Sequence, residues 1–590
     1  MKKLKSIVSL AAILGACAVT SAAHAATNRI GGYLYGTIDW YATNVYVLTN
    51  YTYVMSSAVL NIEAGTIIKG KDGTAPNFGS LFVTRGGKIF AQGTAEAPII
   101  FTAEADDVSN PFDTTSDVSS GYKRGLWGGL VLLGNARINN SVNGTNLTYD
   151  VYEGLADTFV GGDAIHRFGG SDDADNSGVL RYVSIRHGGK KLESNKEING
   201  LSMGGVGNGT TVEYVEAYCI ADDGFEFFGG SVNTKHLVSA FNDDDGFDTD
   251  MGYNGKNQFW FGVQASDIRD EGSEQNGQPV SPPPTVPGAL PLSTYEVYNA
   301  TLLGAGTGAG SGNDVMNIRV QNFCKWHDSV FMQFDGARMV IDQPSSAPEI
   351  RTNIFWQINS VGTDWGTTEC PADSNPYMDP MLRGVSRIQN NRLDPRPMAG
   401  SPVYSEVLVP ADPFYTPVGY KGAFDCENWL RGWTALDQNL IVGSAYSVGA
   451  TTNFVGGYLY GNINWTANTV YVLTNYTYVM PGAALNIEAG TLVKGRNGTA
   501  PNFGSLFVTR GGKIFAQGTA CQPIIFTAEV DNVNDPFDTT SDITASSYQR
   551  GLWGGLVLLG NARINNSVNG TNLTYDVYEG LADTFVGGDA

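Results

Sequence analysis

Short segments of alternating apolar and polar residues recur along this chain. Leu60 and Ile62 alternate with Asn61 and Glu63, Leu81 and Val83 with Phe82 and Thr84, and Ile99 and Phe101 with Ile100 and Thr102. A period of two predicts strands, with both faces apolar where Phe82 and Ile100 replace the polar partner. The segments return about every 20 residues, separated by Gly-, Asn- or Asp-rich turns such as Gly70-Lys71-Asp72-Gly73. The register is plainest from Val215 to Gln264. Val215 maps onto Leu237 and Phe259, and Asp222-Asp223-Gly224-Phe225-Glu226 onto Asp244-Asp245-Gly246-Phe247-Asp248, at a 22-residue step.

A 22-residue step is about one turn of a right-handed parallel β-helix with three short strands per coil. No single coil can bury its inner face, so coils must stack and share a core. The expected fold is therefore all-β, a right-handed parallel β-helix solenoid. A sandwich or propeller would instead want hairpin signals or blades of about 40 residues. Asn-Gly pairs occur at Asn143-Gly144 and Asn208-Gly209, but without symmetric hairpin flanks.

A second repeat is larger. Gly31 onward recurs from Gly456, and Gly125–Ala164 returns letter for letter as Gly551–Ala590. This predicts a partial second copy over 456–590 duplicating 31–164, as in a piece of a longer array, with an artefactual junction as the alternative. The expected organisation is an export signal over 1–25, a β-helix domain with its end segment over 26–440, and a small, polar linker over 441–455 before that copy. Ser281-Pro282-Pro283-Pro284 through Pro291 reads as a loop, because consecutive prolines cannot sit in a central strand.

Composition narrows the partners. The chain has 58 acidic against 36 basic residues and a net charge of -22. That balance argues against nucleic acid or an anionic membrane and permits cations, neutral glycans, or polyanions bridged by a divalent metal. Lys2, Lys3 and Lys5, the apolar run Ile7–Val19 and the small-x-small site Ala23-His24-Ala25 predict secretion. Leu14-Gly15-Ala16-Cys17 offers a rival lipobox reading that would attach the chain to the outer cell surface through Cys17. No later apolar run is long enough to span a bilayer. Cys219, Cys324, Cys370, Cys426 and Cys521 are too dispersed for zinc. Cys370 with Cys426, both in an irregular Pro-rich stretch, is the best disulfide pairing in an oxidising compartment.

The acidic motif carries the chemistry. Asp222, Asp223 and Glu226 would lie one coil before Asp244, Asp245 and Asp248, about 4.8 Å away along the stack. Unpaired carboxylates at that distance repel. A hard divalent cation, above all Ca²⁺, would remove the cost by accepting several oxygen ligands. Asp243 and Asp250 add acids nearby. Three readings stay open: a structural calcium, solvated acidic turns, and a catalytic calcium. Asp173-Ala174-Asp175-Asn176-Ser177-Gly178 is either a second calcium loop or an Asx-rich turn, since Ser184 stands where a glutamate ligand is expected. His187 ends a strand and reads as a packed residue. Trp127, Trp260 and Trp326 are candidates either for stacking on sugars or for the core.

Two resemblances bear on function. Leu60-Asn61-Ile62-Glu63-Ala64-Gly65-Thr66, Gly86-Gly87-Lys88-Ile89, Gly93-Thr94 and Pro98-Ile99-Ile100-Phe101-Thr102 resemble the opening of secreted bacterial β-helix proteins. Leu393-Asp394-Pro395-Arg396-Pro397, Tyr420-Lys421-Gly422-Ala423-Phe424 and Trp429-Leu430-Arg431-Gly432-Trp433-Thr434 resemble their end segment. The acidic coils are similar to the calcium-dependent pectate lyases of family 9. That likeness implies calcium on Asp244, Asp245 and Asp248 with Asp222 or Asp223 from the coil before. Those lyases also need a lysine base some coils further on. None occurs between Lys256 and Lys325; Lys256 comes too soon and Arg319 is an arginine much further along, so the base is unassigned. The sequence thus predicts a secreted or surface-attached calcium-binding protein in adhesion, glycan binding or an envelope layer, its partner an extracellular glycan or envelope component. A calcium-dependent polysaccharide lyase and a purely structural repeat fibre are the alternatives.

Overall fold

The computed structural model of the chain describes residues 26–583, apart from 143–144, 194–195, 278–289, 311, 342–345, 363, 399, 444–450, 468, 520–521, 532–549, 569–570, 574 and 580. The predicted export signal with Cys17, most of the proline-rich loop and Cys521 lie outside the described residues.

Residues 26–356 form a right-handed parallel β-helix. Three ladders of parallel strands run its length. The first passes through Asn44–Leu48, Ile67–Gly70, Ile99–Ala103, Val183–Arg186, Val215–Tyr218, Leu237–Ala240, Phe261–Val263, Thr301–Leu303 and Val330–Met332 to Ile354–Trp356. The second includes Val59–Ile62, Lys88–Gln92, Gly178–Arg181, Thr211–Glu213 and Asn233–Lys235. The third includes Ser80–Val83, Leu130–Leu133, Leu201–Gly204, Phe225–Phe228, Phe247–Asp250, Glu274–Gln275 and Asn317–Ile318.

Alternation explains the inside. Leu60 and Ile62 are buried while Asn61 is half-buried and Glu63 exposed. Phe82 and Ile100 are buried on the outer face as well; Phe82 packs against Tyr53, Tyr152 and His166. The interior continues as stacked rings, Phe225 on Phe247 at 5.5 Å and Phe247 on Trp260 at 4.3 Å between centroids. Trp127, Trp260 and Trp326 are wholly buried, so the sugar-stacking reading of these three is overturned in favour of the core. His187 is buried as expected, with Nδ1 2.7 Å from the Lys123 carbonyl.

Three expectations need correction. The 22-residue step holds from Val215 to Leu237, but Val238 pairs with Phe261, a step of 23. The turn at 251–255 carries one extra residue, so Trp260 lies over Leu237 and Phe259 takes the corner that His236 occupies one coil earlier. Antiparallel pairing, not expected from the sequence, does occur: Asn140–Val142 pairs with Thr145–Leu147. The predicted linker is shorter than 441–455, because Ile441 and Val442 are buried and Thr451–Leu459 is a strand paired with Thr469–Val479.

The end segment runs back along the outside of the solenoid. Tyr415 meets Tyr298, Trp429 meets His236 and Trp433 meets Tyr182. Glu216, fully buried, holds it by accepting the Ala435 N–H at 2.6 Å and the Ser184 hydroxyl at 2.5 Å. Cys370 is a free, buried thiol while Cys426 is disulfide-bonded, so the Cys370–Cys426 pairing is overturned. From Thr451 the second copy builds the same opening coils: Thr451 pairs with Thr469 as Ala26 pairs with Asn44. Its own core gathers Trp465, Leu473, Leu485, Val493 and Leu506.

Candidate functional site

The third ladder explains why acids accumulate at one corner. At the start of three of its strands, Phe225–Phe228, Phe247–Asp250 and Glu274–Gln275, an acid, a glycine, a buried residue and a second acid follow one another. A Cβ on Gly224 would stand 2.8 Å from the Gly246 carbonyl oxygen, and one on Gly246 2.7 Å from that of Gly272. Glycine therefore lets successive coils close, and the flanking acids are carried into register. Glu226 pairs with Asp248, and Asp248 with Glu274.

Five of the six acids fall into two groups that share Asp223. Carboxylate oxygens of Asp222, Asp223 and Asp244 lie within 4.8 Å of one another, as do those of Asp223, Glu226 and Asp248. Asp245 joins a third such group with Glu271 and Glu274. These two glutamates were missed in the sequence because the step to them is 26 residues. The signal was nonetheless present: Glu271-Gly272-Ser273-Glu274 repeats the acid-Gly-x-acid order of Asp245-Gly246-Phe247-Asp248.

Three of these carboxylates are used structurally. Asp223 Oδ1 accepts the Asp245 N–H at 2.9 Å, and Asp245 Oδ1 accepts the Glu271 N–H at 2.7 Å. Asn199 Nδ2 donates to Glu226. Asp248 differs: it is only 8% exposed, and its Oδ1 has no hydrogen-bond partner. A buried oxygen left so is costly unless a ligand meets it.

Burial, and then the neighbouring negative charges, push Asp222, Asp223, Glu226, Asp245 and Asp248 well above the ordinary carboxylate range. The same causes, burial first, raise Asp244 to about 6. Glu271 is raised to about 8 by burial and then by Asp270, and Asp250 to about 7 mainly by burial. The corner opens into a pocket of about 480 Å³, lined by Asp222, Asp223, Glu226 and Asp244 with Glu153, Lys191 and Lys196 opposite.

Cations stand on both sides. Lys191 and Lys196 come from the antiparallel excursion between coils and pair with Glu197 at 2.7 Å and Glu153 at 2.9 Å. Glu197 raises Lys191 above the ordinary lysine range; at Lys196 burial works downward, but Glu153 outweighs it and the net direction is up. Arg319, two coils past Asp248, pairs with Glu274. Lys256 lies on the second ladder and pairs with Asp412, away from the corner. The loop at Asp173–Gly178 satisfies itself: Asp173 pairs with Arg137, Asn135 and Ser177 donate to Asp175, and Asn176 accepts the Gly178 N–H. That pattern is an Asx-rich turn.

Comparison with known proteins adds a family. No curated protein sequence matches the chain. Pectate lyase Pel9A is similar in structure at 12% identity, covering 63% of this chain and 88% of its own, with a TM-score of 0.32. The PL6-family alginate lyase AlyGC is similar at 9% identity, covering 90% of this chain and 72% of its own, with a TM-score of 0.23. The family described as the pectate-lyase like beta helix domain matches residues 32–364 and again 457–588, which takes in the acidic corner and both copies of the opening coils. With the ladders, the acidic register and a match over most of its length, the chain belongs to the pectate-lyase like beta helix domain family.

Proposed function

We propose that the acidic corner holds calcium and, through it, binds an acidic polysaccharide outside the cell or at its surface. The supporting observation is Asp248 Oδ1, a buried, unpartnered oxygen amid carboxylates from three coils. An all-carboxylate donor set suits a hard cation that tolerates irregular geometry. Asp222, Asp223, Glu226, Asp244, Asp245 and Asp248 would hold the ion. When bound, calcium supplies a positive centre for a uronate carboxylate in an otherwise repellent corner. Export fits the sequence signal, and among the described residues no helix is long and apolar enough to cross a membrane.

A second reading, a polyuronate lyase, is favoured by the cations flanking the corner and by the family. β-Elimination needs a base to take the proton beside the uronate carboxylate as the glycosidic C–O bond breaks. The cations beside the corner are each paired with a carboxylate, Lys191 with Glu197, Lys196 with Glu153 and Arg319 with Glu274, so a base would first have to leave its partner, and binding is the reading placed first.

Incubation with polygalacturonate tests both. Calcium-dependent retention of the polymer, lost with chelator and in Asp248→Asn, without a rise in ultraviolet absorbance, is the expected result. An absorbance rise lost in the same variant would convert the reading to a lyase. Equal retention with calcium and with chelator would refute the calcium-bridged site.

A further inference from the structure

A different corner of the solenoid carries a stack of rings. Tyr182, Tyr214, His236 and Phe259 take the same left-handed backbone position in four successive coils, at φ of 49°, 54°, 55° and 61°. That conformation is uncommon for bulky residues. It turns their side chains outward, and neighbouring rings stack at 4.4, 4.1 and 4.8 Å. Trp433 meets Tyr182 and Tyr214 edge-on, and Trp429 meets Tyr214 and His236 in the same way. At the Tyr182 end the preceding coil contributes Ala95 in place of a ring. A pocket of about 340 Å³ opens there, lined also by Tyr214, Asn428, Trp429 and Arg431.

Asn428 is the independent observation. It is 6% exposed, yet neither its amide oxygen nor its amide nitrogen has a hydrogen-bond partner. A buried amide with its donor and acceptor both unmade is costly, and such exceptions call for a ligand or another explanation. The charged side chains that line the pocket balance. Arg396 is held by both oxygens of Asp394, at 2.7 and 2.8 Å, and the exposed Glu427 and Arg431 contribute one charge of each sign. The complementary ligand is therefore uncharged, flat enough to join a stack of rings, and able to donate and accept at adjacent atoms.

We propose that this pocket binds a neutral sugar ring, which extends the Tyr182 stack by one member and hydrogen-bonds to Asn428 through neighbouring hydroxyls. A pyranose offers a C–H face to aromatic rings and paired hydroxyls at its edge. The site needs no metal, so it stands or falls separately from the calcium-binding corner.

The test uses the full chain in chelator, titrated with maltotriose, cellotriose, mannotriose and xylotriose. Tryptophan fluorescence and saturation-transfer NMR follow binding. At least one trisaccharide should saturate, and its affinity should fall tenfold or more in both Asn428→Leu and Tyr182→Leu. Asn428→Leu removes an unpaired amide from the interior, so it is expected to melt no lower than the parent. Failure of all four sugars to saturate, or a smaller loss of affinity in either variant, would overturn the proposal.

Discussion

Asp248 concentrates the energetics of the acidic corner. Its neighbours Asp223 and Asp245 spend one oxygen each on the next coil's backbone, whereas its Oδ1 is spent on nothing. The sequence made the repulsion legible, because identical motifs one coil apart must face each other. It could not reveal which carboxylates are tied to backbone, since that depends on the corner's dihedrals. The raised carboxyls have a consequence for pH. Each is charged less readily in the folded chain than in the unfolded one, so without metal each stabilises the fold below the ordinary carboxylate range. That contribution is lost as pH rises through the folded values, about 6 for Asp244 and about 8 for Glu271. Each tenfold gain in a carboxyl's proton affinity on folding corresponds to about 1.4 kcal/mol. In chelator the melting temperature should therefore fall between about pH 4 and pH 8, and calcium should restore more of it at pH 8 than at pH 5. A melting temperature in chelator that rises across this window would contradict the assigned charge repulsion.

Each coil places the site through its turns more than through its strands. Gly246 lets the coil carrying Glu271 approach, so Gly246→Ala sets a methyl group 2.7 Å from the Gly272 carbonyl. The overpacking should cost about 1–3 kcal/mol of stability, measurable by urea unfolding. Calcium affinity should fall with it, because the two acidic coils would be pushed apart. Unchanged stability would show that the coils can close without glycine. At this scale the sequence was readable wherever turns have equal length. The step from Asp223 to Asp245 was visible for that reason. The extra residue at 251–255 and the longer excursion before Glu271 broke the count, hiding Glu271, Glu274 and the pairing of Phe261 with Val238. Lys191 and Lys196 were equally hidden, since an excursion between coils carries no periodicity.

The whole molecule is a solenoid whose outer corners do different things. One gathers carboxylates, another stacks aromatic rings beneath the returning end segment, and the strands between them hold a continuous apolar core. The fold was legible because a stacked repeat writes its period into the chain. The long-range packing of the end segment was not, as Trp433 on Tyr182 joins residues with no shared pattern. Everything proposed for the acidic corner depends on the metal, and calorimetric titration of the full chain with Ca²⁺ tests it most directly. The account predicts saturable binding at neutral pH, weakened at least tenfold in Asp248→Asn, a loss of about 1.4 kcal/mol or more. Asp248→Asn should fold as well as the parent in chelator, since it removes a repelled charge. An isotherm identical in parent and variant, or no heat of binding in the parent, would contradict it.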